Sequence, residues 1–234
     1  MAGLVNRRDL LRGTLATGAL LALPARALAQ DDFLAQFDKT FGLQPAPVEP
    51  VVPALPTVVE PNPAYDRKVL EIARREVERA GKAVWRRDIA GIADFGRPST
   101  LPRFHFANLE NGTVRSFYVA HGRGSDPDHS GFLHDFSNVF GSKATSRETY
   151  LTCEWYNGKY GTSIRLEGLD QDNSNALDRA IVMHPAWYAS PDLISRQGKL
   201  GRSEGCFAMA PDQFNEALWH LSGGRLLYAD RIEV

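Results

Sequence analysis

The sequence predicts a mostly β domain with a few short α-helices, and three observations predict it. Short runs rich in β-branched and aromatic residues recur from residue 103 onward, two pairs of these runs are joined through Asn-Gly dipeptides, and helical patterns are brief. With 234 residues, 43% hydrophobic and 24% charged, the chain has ordinary globular usage and enough apolar mass for one good core. Asn62 can cap a helix with Pro63 at its first position, and Val69, Ile72, Ala73, Val77 and Ala80 share one face before Gly81 stops it. Arg103–Leu109 and Thr113–Ala120 read as strands joined through Glu110-Asn111-Gly112, where Asn-Gly supplies positive φ angles. A second hairpin runs from Tyr150–Tyr156 through Asn157-Gly158 to Thr162–Leu166. Ala180–Met183 is a short buried strand ending at His184, Ser190–Arg196 and Pro211–Leu221 are helical, and Arg225–Ile232 is a last strand.

Residues 1–29 read as an address rather than as fold. Arg7-Arg8 precede an apolar stretch from Gly13 to Leu23, and Ala27-Leu28-Ala29 supplies the small residues a signal peptidase needs. That stretch is roughly half the length a membrane-crossing helix needs, so no stable membrane anchor is expected after cleavage. The paired arginines predict a twin-arginine signal and hence a periplasmic or cell-wall-facing protein. Residues 30–63 form a Pro-rich linker, with Pro45, Pro47, Pro50, Pro53, Pro56, Pro61 and Pro63 favouring extended polyproline II. Residues 64–234 then form one domain of common size.

A formal charge of −1 offers no basic field for nucleic acid. Two cysteines, Cys153 and Cys206, exclude a disulfide-scaffolded fold and a four-cysteine zinc site. Cys206 follows Gly205, whose missing Cβ lets a substrate carbonyl approach backbone N–H groups that can act as an oxyanion hole. A thiol attacks as thiolate, and His184 at the end of a buried strand is the best base to take its proton. On residues alone, Cys206 can equally be a small core residue or half of a disulfide with Cys153.

His184 followed by Ser203-Glu204-Gly205-Cys206 resembles the murein L,D-transpeptidase family of YkuD type, whose signature is a histidine, a spacer and then Ser/Thr-His-Gly-Cys. The resemblance extends through Asp94-Phe95, Pro98-Ser99-Thr100, Arg103, Val119 to Asp126, Asn173-Ser174-Asn175-Ala176 and Gly201-Arg202-Ser203, covering most of the domain in the expected order. Glu204 replaces the motif's second histidine and Phe207 a polar residue that often follows the cysteine, which reads as a change of specificity.

The resemblance implies a β-rich sandwich or barrel-like fold and a peptidoglycan stem peptide as partner. It makes Cys206 the nucleophile and His184 the base and then acid, with the Pro185 carbonyl orienting the ring and the amides of Gly205 and Cys206 in the oxyanion hole. Arg202, Ser203, Glu204 and His121 are expected to contact substrate, Arg202 by forking onto a carboxylate. No cofactor and no metal are implied. The transpeptidase reading has two alternatives: hydrolysis of the same bond, and a non-catalytic domain that binds wall peptides. Cys153 then reads as a free thiol or small core residue.

One rival uses zinc. His121 and Asp128, with His129 and His134 nearby, resemble the first half of a zinc D,D-carboxypeptidase site. Such a site is completed by a His-x-His pair, which does not occur among the six histidines. The plainer expectation is that His121, Asp126 and Asp128 form a hydrogen-bonded turn around Gly122 and Gly124. Trp155, Tyr156, Trp187 and Tyr188 are expected in the core or at its rim rather than as a sugar-stacking platform.

Overall fold

The computed structural model describes residues 62–232. The signal segment and nearly all of the linker predicted above lie outside the described residues.

Helix α1 (Pro63–Ala80) begins as its sequence dictates: Asn62 Oδ1 accepts from Tyr65 N–H at 3.1 Å, Pro63 occupies the first turn, and Gly81 ends the helix at φ 56°. Eight strands follow in one mixed sheet: β1 (Ile89–Asp94), β2 (Phe104–Asn108), β3 (Thr113–Phe117), β4 (Glu148–Gly158), β5 (Gly161–Gly168), β6 (Val182–Pro185), β7 (Phe207–Met209) and β8 (Leu226–Asp230). Their spatial order is β3-β2-β1-β8-β4-β5-β6-β7, with β1/β8 and β6/β7 parallel and the other pairs antiparallel. Helix α2 (Asp192–Gln197) lies between β6 and β7, and α3 (Pro211–Leu221) between β7 and β8.

Helix α1 buries Val69, Ile72, Ala73 and Val77 against Ala90, Ile92, Ala107, Leu226 and Tyr228 on one face of the sheet. On the other face, Phe104, Phe106, Tyr150, Ile164, Leu166, Met183, Phe207 and Leu227 form the main core with Phe214, Ala217 and Leu221 of α3. Gly91 lets α3 sit close, since a Cβ there would stand 2.9 Å from Leu221 Cδ1. The sheet curls. After β3 the chain bonds to β7 at the opposite edge, Ala120 N–H donating to Ala208 O at 2.8 Å, and Gly122 then pairs with Ser203. The result is the barrel-like form of the expected β-rich fold, with few helices.

Several boundaries differ from the sequence reading. The second hairpin turns at Lys159-Tyr160 with Gly161 at φ 80°, so Asn157 and Gly158 belong to β4 and face Thr162 and Gly161. A register shift between Thr152 and Trp155 goes with this longer strand. In the first hairpin only Gly112 takes positive φ, while the Asn111 side chain accepts from Thr113 N–H at 3.1 Å. Strand β3 stops at Phe117 instead of Ala120, and β6 begins at Val182 because Ala180 adopts φ 55°. Strands β1 and β7 were not anticipated.

Candidate active site

Parallel pairing of β6 with β7 aligns Met183 with Phe207 and His184 with Ala208. Because side chains alternate along a strand, Met183 and Phe207 enter the core, while Val182, His184 and Ala208 share the other face. Cys206 immediately precedes β7, next to Phe207, whose β6 partner Met183 adjoins His184.

His184 is buried, and its Nδ1 lies 3.0 Å from the Pro185 carbonyl. A carbonyl only accepts, so Nδ1 carries the proton and the Nε2 lone pair is free to act as a base. Tyr160 from the β4–β5 turn stacks on the imidazole at 4.4 Å between centroids, 21° from parallel, and Tyr188 meets its edge at 6.5 Å. Burial lowers the His184 pKa, partly offset by the Pro185 bond.

The Cys206 thiol is buried and donates toward Ala180 O at 3.7 Å. Burial raises its pKa; a hydrogen bond from the Val182 backbone and the Arg179 charge pull it down, and Glu204 adds to the rise. Both shifts favour the uncharged thiol and the uncharged imidazole. Arg179, which sequence reasoning missed, is tied down by Ser137 O and Ser146 Oγ at 2.7 and 2.6 Å and by Ala144 O and Ser142 Oγ at 2.6 and 3.2 Å. Nothing in its spacing marks it, since its role depends on a loop more than thirty residues upstream.

Gly205 adopts φ 120°, and a Cβ there would meet Ala144 O at 2.8 Å. Its amide is not open as expected: it donates to Ser203 Oγ at 3.1 Å, and that hydroxyl donates to Cys206 O at 2.6 Å. Among the described residues the Cys206 N–H has no acceptor, so it is the donor left for an oxyanion.

The other expected contact residues divide. Ser203 is buried and spent in this turn. His121 is also buried: Arg103 donates to its Nδ1 at 2.7 Å, and its Nε2 faces Asp126 at 3.3 Å. Burial lowers His121 to about 3 and Arg103 to about 9, which leaves a neutral imidazole beside a charged guanidinium. Asp126 also accepts from Ser130 and Gly131 N–H, at 2.7 and 2.9 Å, and these bonds hold its carboxyl down at about 2 despite burial. This network is the hydrogen-bonded turn, although Asp128 is exposed and outside it. It also meets the zinc rival directly, because a guanidinium occupies His121 Nδ1 while His129 and His134 face Leu200 O and Ser130 Oγ.

Arg202 donates through Nη1 to the carbonyls of Asp126 and Pro127 and so braces this loop, while its Nε and Nη2 have no acceptor among the described residues. Glu204 is exposed and ion-paired to Arg123 and Lys143. Cys153 and Cys206 are both free thiols, so the disulfide alternative is not formed. Trp155 and Trp187 are exposed, Tyr156 lies under Arg165, and Tyr188 flanks His184.

No curated protein matches the chain. Among solved structures, an L,D-transpeptidase from Mycobacterium smegmatis is 16% identical with a TM-score of 0.38, covering 61% of this chain and 58% of that one. An L,D-transpeptidase from Mycobacterium tuberculosis H37Rv is 12% identical with a TM-score of 0.36, covering 61% and 57%. The chain thus spans less than two thirds of the length of these proteins. A family model described as L,D-transpeptidase catalytic domain matches residues 62–229, from the cap of α1 into β8 and across every element that positions His184 and Cys206. By that match, the chain belongs to the L,D-transpeptidase catalytic domain family.

Proposed function

We propose that this domain is a cysteine-dependent L,D-transpeptidase acting on peptidoglycan stem peptides through a thioester. The observation that carries the reading is the His184 ring, whose Nδ1 proton is held by Pro185 and whose Nε2 has no partner among the described residues, on a strand paired with the one that Cys206 immediately precedes. Cys206 Sγ attacks the carbonyl at the L-centre of diaminopimelate while its proton passes to His184 Nε2. The oxyanion forms against the Cys206 N–H, a donor of a kind worth roughly 3–4 kcal/mol to the transition state. Collapse breaks the amide, D-alanine leaves with the proton from His184, and the thioester remains. The side-chain amine of a second stem then attacks, gives its proton to His184, and expels the thiolate, which is reprotonated. Substituting water for the amine gives the hydrolase, with the same first half.

His121, Ser203 and Arg202 act here as supports: they fix the Gly122–Ser203 contact and the loop beside Cys206. The twin-arginine segment fits delivery of the folded enzyme to the compartment that holds its substrate.

The test is intact-protein mass spectrometry of reduced protein and Cys206→Ser after incubation with a tetrapeptide muropeptide and, separately, a carbapenem. An adduct present in the parent and absent from the variant is expected, and the released products separate crosslinking from hydrolysis. Folded protein with a titratable Cys206 thiol and no adduct from either reagent would reject the enzyme in favour of a wall-binding domain.

A further inference from the structure

Glu204 stands two residues before Cys206, where the motif carries histidine, and it has two cationic partners. Arg123 Nε lies 2.8 Å from one carboxylate oxygen and Lys143 Nζ 3.2 Å from the other, as ion pairs. The side chains of Arg123, Lys143 and Glu204 are 48%, 45% and 51% exposed, so the cluster lies at the surface beside a buried nucleophile. Three separate chain segments supply it, and backbone contacts lock them together. Arg123 follows Gly122, where a Cβ would lie 2.6 Å from Gly205 Cα and 2.3 Å from Lys143 O. Arg123 N–H donates to Ser203 O at 2.8 Å. Lys143 takes φ 56°, a conformation a side-chain-bearing residue keeps only where its surroundings impose it.

One carboxylate against two cations leaves a net positive charge here, in a chain whose formal charge is −1. Glu204 engages Arg123 through Nε, and the two terminal nitrogens of that guanidinium have no acceptor among the described residues. That free edge matches the two oxygens of a carboxylate. Arg202, the other arginine near the motif, spends one terminal nitrogen on the backbone carbonyls of Asp126 and Pro127.

We propose that Arg123 and Lys143, held in place by Glu204, form a specificity site for a free carboxylate of the donor stem peptide. The proposal rests on the stem-peptide reading above. Two free carboxylates of the stem adjoin the diaminopimelate centre under attack, the terminal carboxylate of D-alanine and the carboxylate at the second centre of diaminopimelate. Glu204 in place of histidine is then the anchor that orients the cations, so that one edge of Arg123 faces outward.

The test measures binding to full-length Cys206→Ala protein, where no turnover intervenes. The probes are a tetrapeptide muropeptide with both carboxylates free and two forms amidated at one carboxylate or the other. One amidated form is expected to bind about tenfold more weakly than the free acid, the loss of one charge-assisted contact, and its identity names the carboxylate. Adding Arg123→Gln should weaken the free acid by a similar factor and leave that amidated form unchanged, so discrimination disappears; Lys143→Met should act in the same direction. Equal binding of all three probes, binding of none, or equal weakening of free and amidated forms by Arg123→Gln overturns the proposal. Failure of the transpeptidase reading shows separately, as no acylation of wild-type Cys206 while carboxylate discrimination persists.

Discussion

Gly122→Ala is the substitution most expected to uncouple the two halves of the site. Gly122 has φ −71° and ψ 141°, open to any residue, so alanine brings no conformational penalty of its own. Its Cβ would stand 2.3 Å from Lys143 O, 2.6 Å from Gly205 Cα and 2.8 Å from Gly205 N, all backbone atoms that no rotamer change can move. Carbon contacts are comfortable at roughly 3.5–4.0 Å, so the segments must part by roughly 1 Å. Overpacking of this kind costs about 1–3 kcal/mol, and the backbone partners place it near the upper end. In a domain of this size that corresponds to a Tm lowered by roughly 6–12 °C. A displacement of that order in the segment bearing Cys206 should slow acylation about 100-fold. Gly112→Ala is the control: its φ of 70° strains alanine by about 1–2 kcal/mol, a Tm fall of roughly 2–8 °C, but nothing lies within 4 Å and the site is elsewhere, so acylation is unchanged. Thermal unfolding by circular dichroism and the rate of carbapenem adduct formation read both quantities. A Gly122→Ala protein that melts and acylates like wild type would refute the claim that backbone contact at this glycine holds the Cys206 turn.

Because burial lowers His184 and raises Cys206, the acid limb of the acylation rate should fall below the usual histidine value of 6.5, and iodoacetamide alkylation should rise only above the usual thiol range; rapid, flat alkylation through neutral pH would mean a preformed thiolate–imidazolium pair instead. Glu204→Gln removes a charge that raises the thiol, so the alkylation midpoint should move to lower pH, and an unmoved midpoint would show that Arg123 and Lys143 already cancel that charge. His105 and His121 are each held at about 3 by burial, whereas unfolded histidine titrates near 6.5. Between these values the unfolded chain binds more protons, so stability is retained above about pH 6.5 and lost on acidification toward 3, by up to ~1.4 kcal/mol per pH unit for each ring. Equal unfolding free energies at pH 7 and pH 4.5 would contradict this.

What the sequence reveals depends on whether an element has a polar side to contrast with its apolar one. Helix α1 and the two hairpins were legible because caps, turn glycines and amphipathic faces are local signals. Strand β1, Ile-Ala-Gly-Ile-Ala-Asp, lies between α1 and α3 and is buried at every position, so it shows no alternation, and its alanines and glycine lack strand propensity. Strand β7 spans only Phe207–Met209 and is defined by its partner β6. The same distinction runs through the site. Cys206, His184 and the Pro185 carbonyl could be placed from order and resemblance, because two of them are adjacent in the chain and the third follows a glycine. Arg179 and the Glu204–Lys143 ion pair could not, since each depends on the loop from Ser137 to Ser146 meeting the Cys206 turn, nor could the engagement of the Gly205 amide, which depends on the rotamer of Ser203.

That loop explains why burial of a polar network and the chemistry of the site belong together. The β3 edge continues through Ala120 onto β7 and through Gly122 onto Ser203, so curling the sheet and seating the nucleophile turn occur in one contact. Ala120, Ala186, Ala189 and Ala208 pack there with no side chain larger than a methyl among them, which is what lets the two edges come so close. Arg103, His121 and Asp126 then fix the incoming segment from inside, and Arg179 fixes the Ser137–Ser146 loop from the other side. Each group is buried or half-buried; Arg103, Asp126 and Arg179 bond to backbone groups, and the neutral His121 links Arg103 to Asp126, so the network holds loops that have no regular structure of their own. His184 differs: it is buried and held by one backbone bond at Nδ1, its Nε2 has no partner among the described residues, and in the proposed reaction that nitrogen is the one that receives the thiol proton.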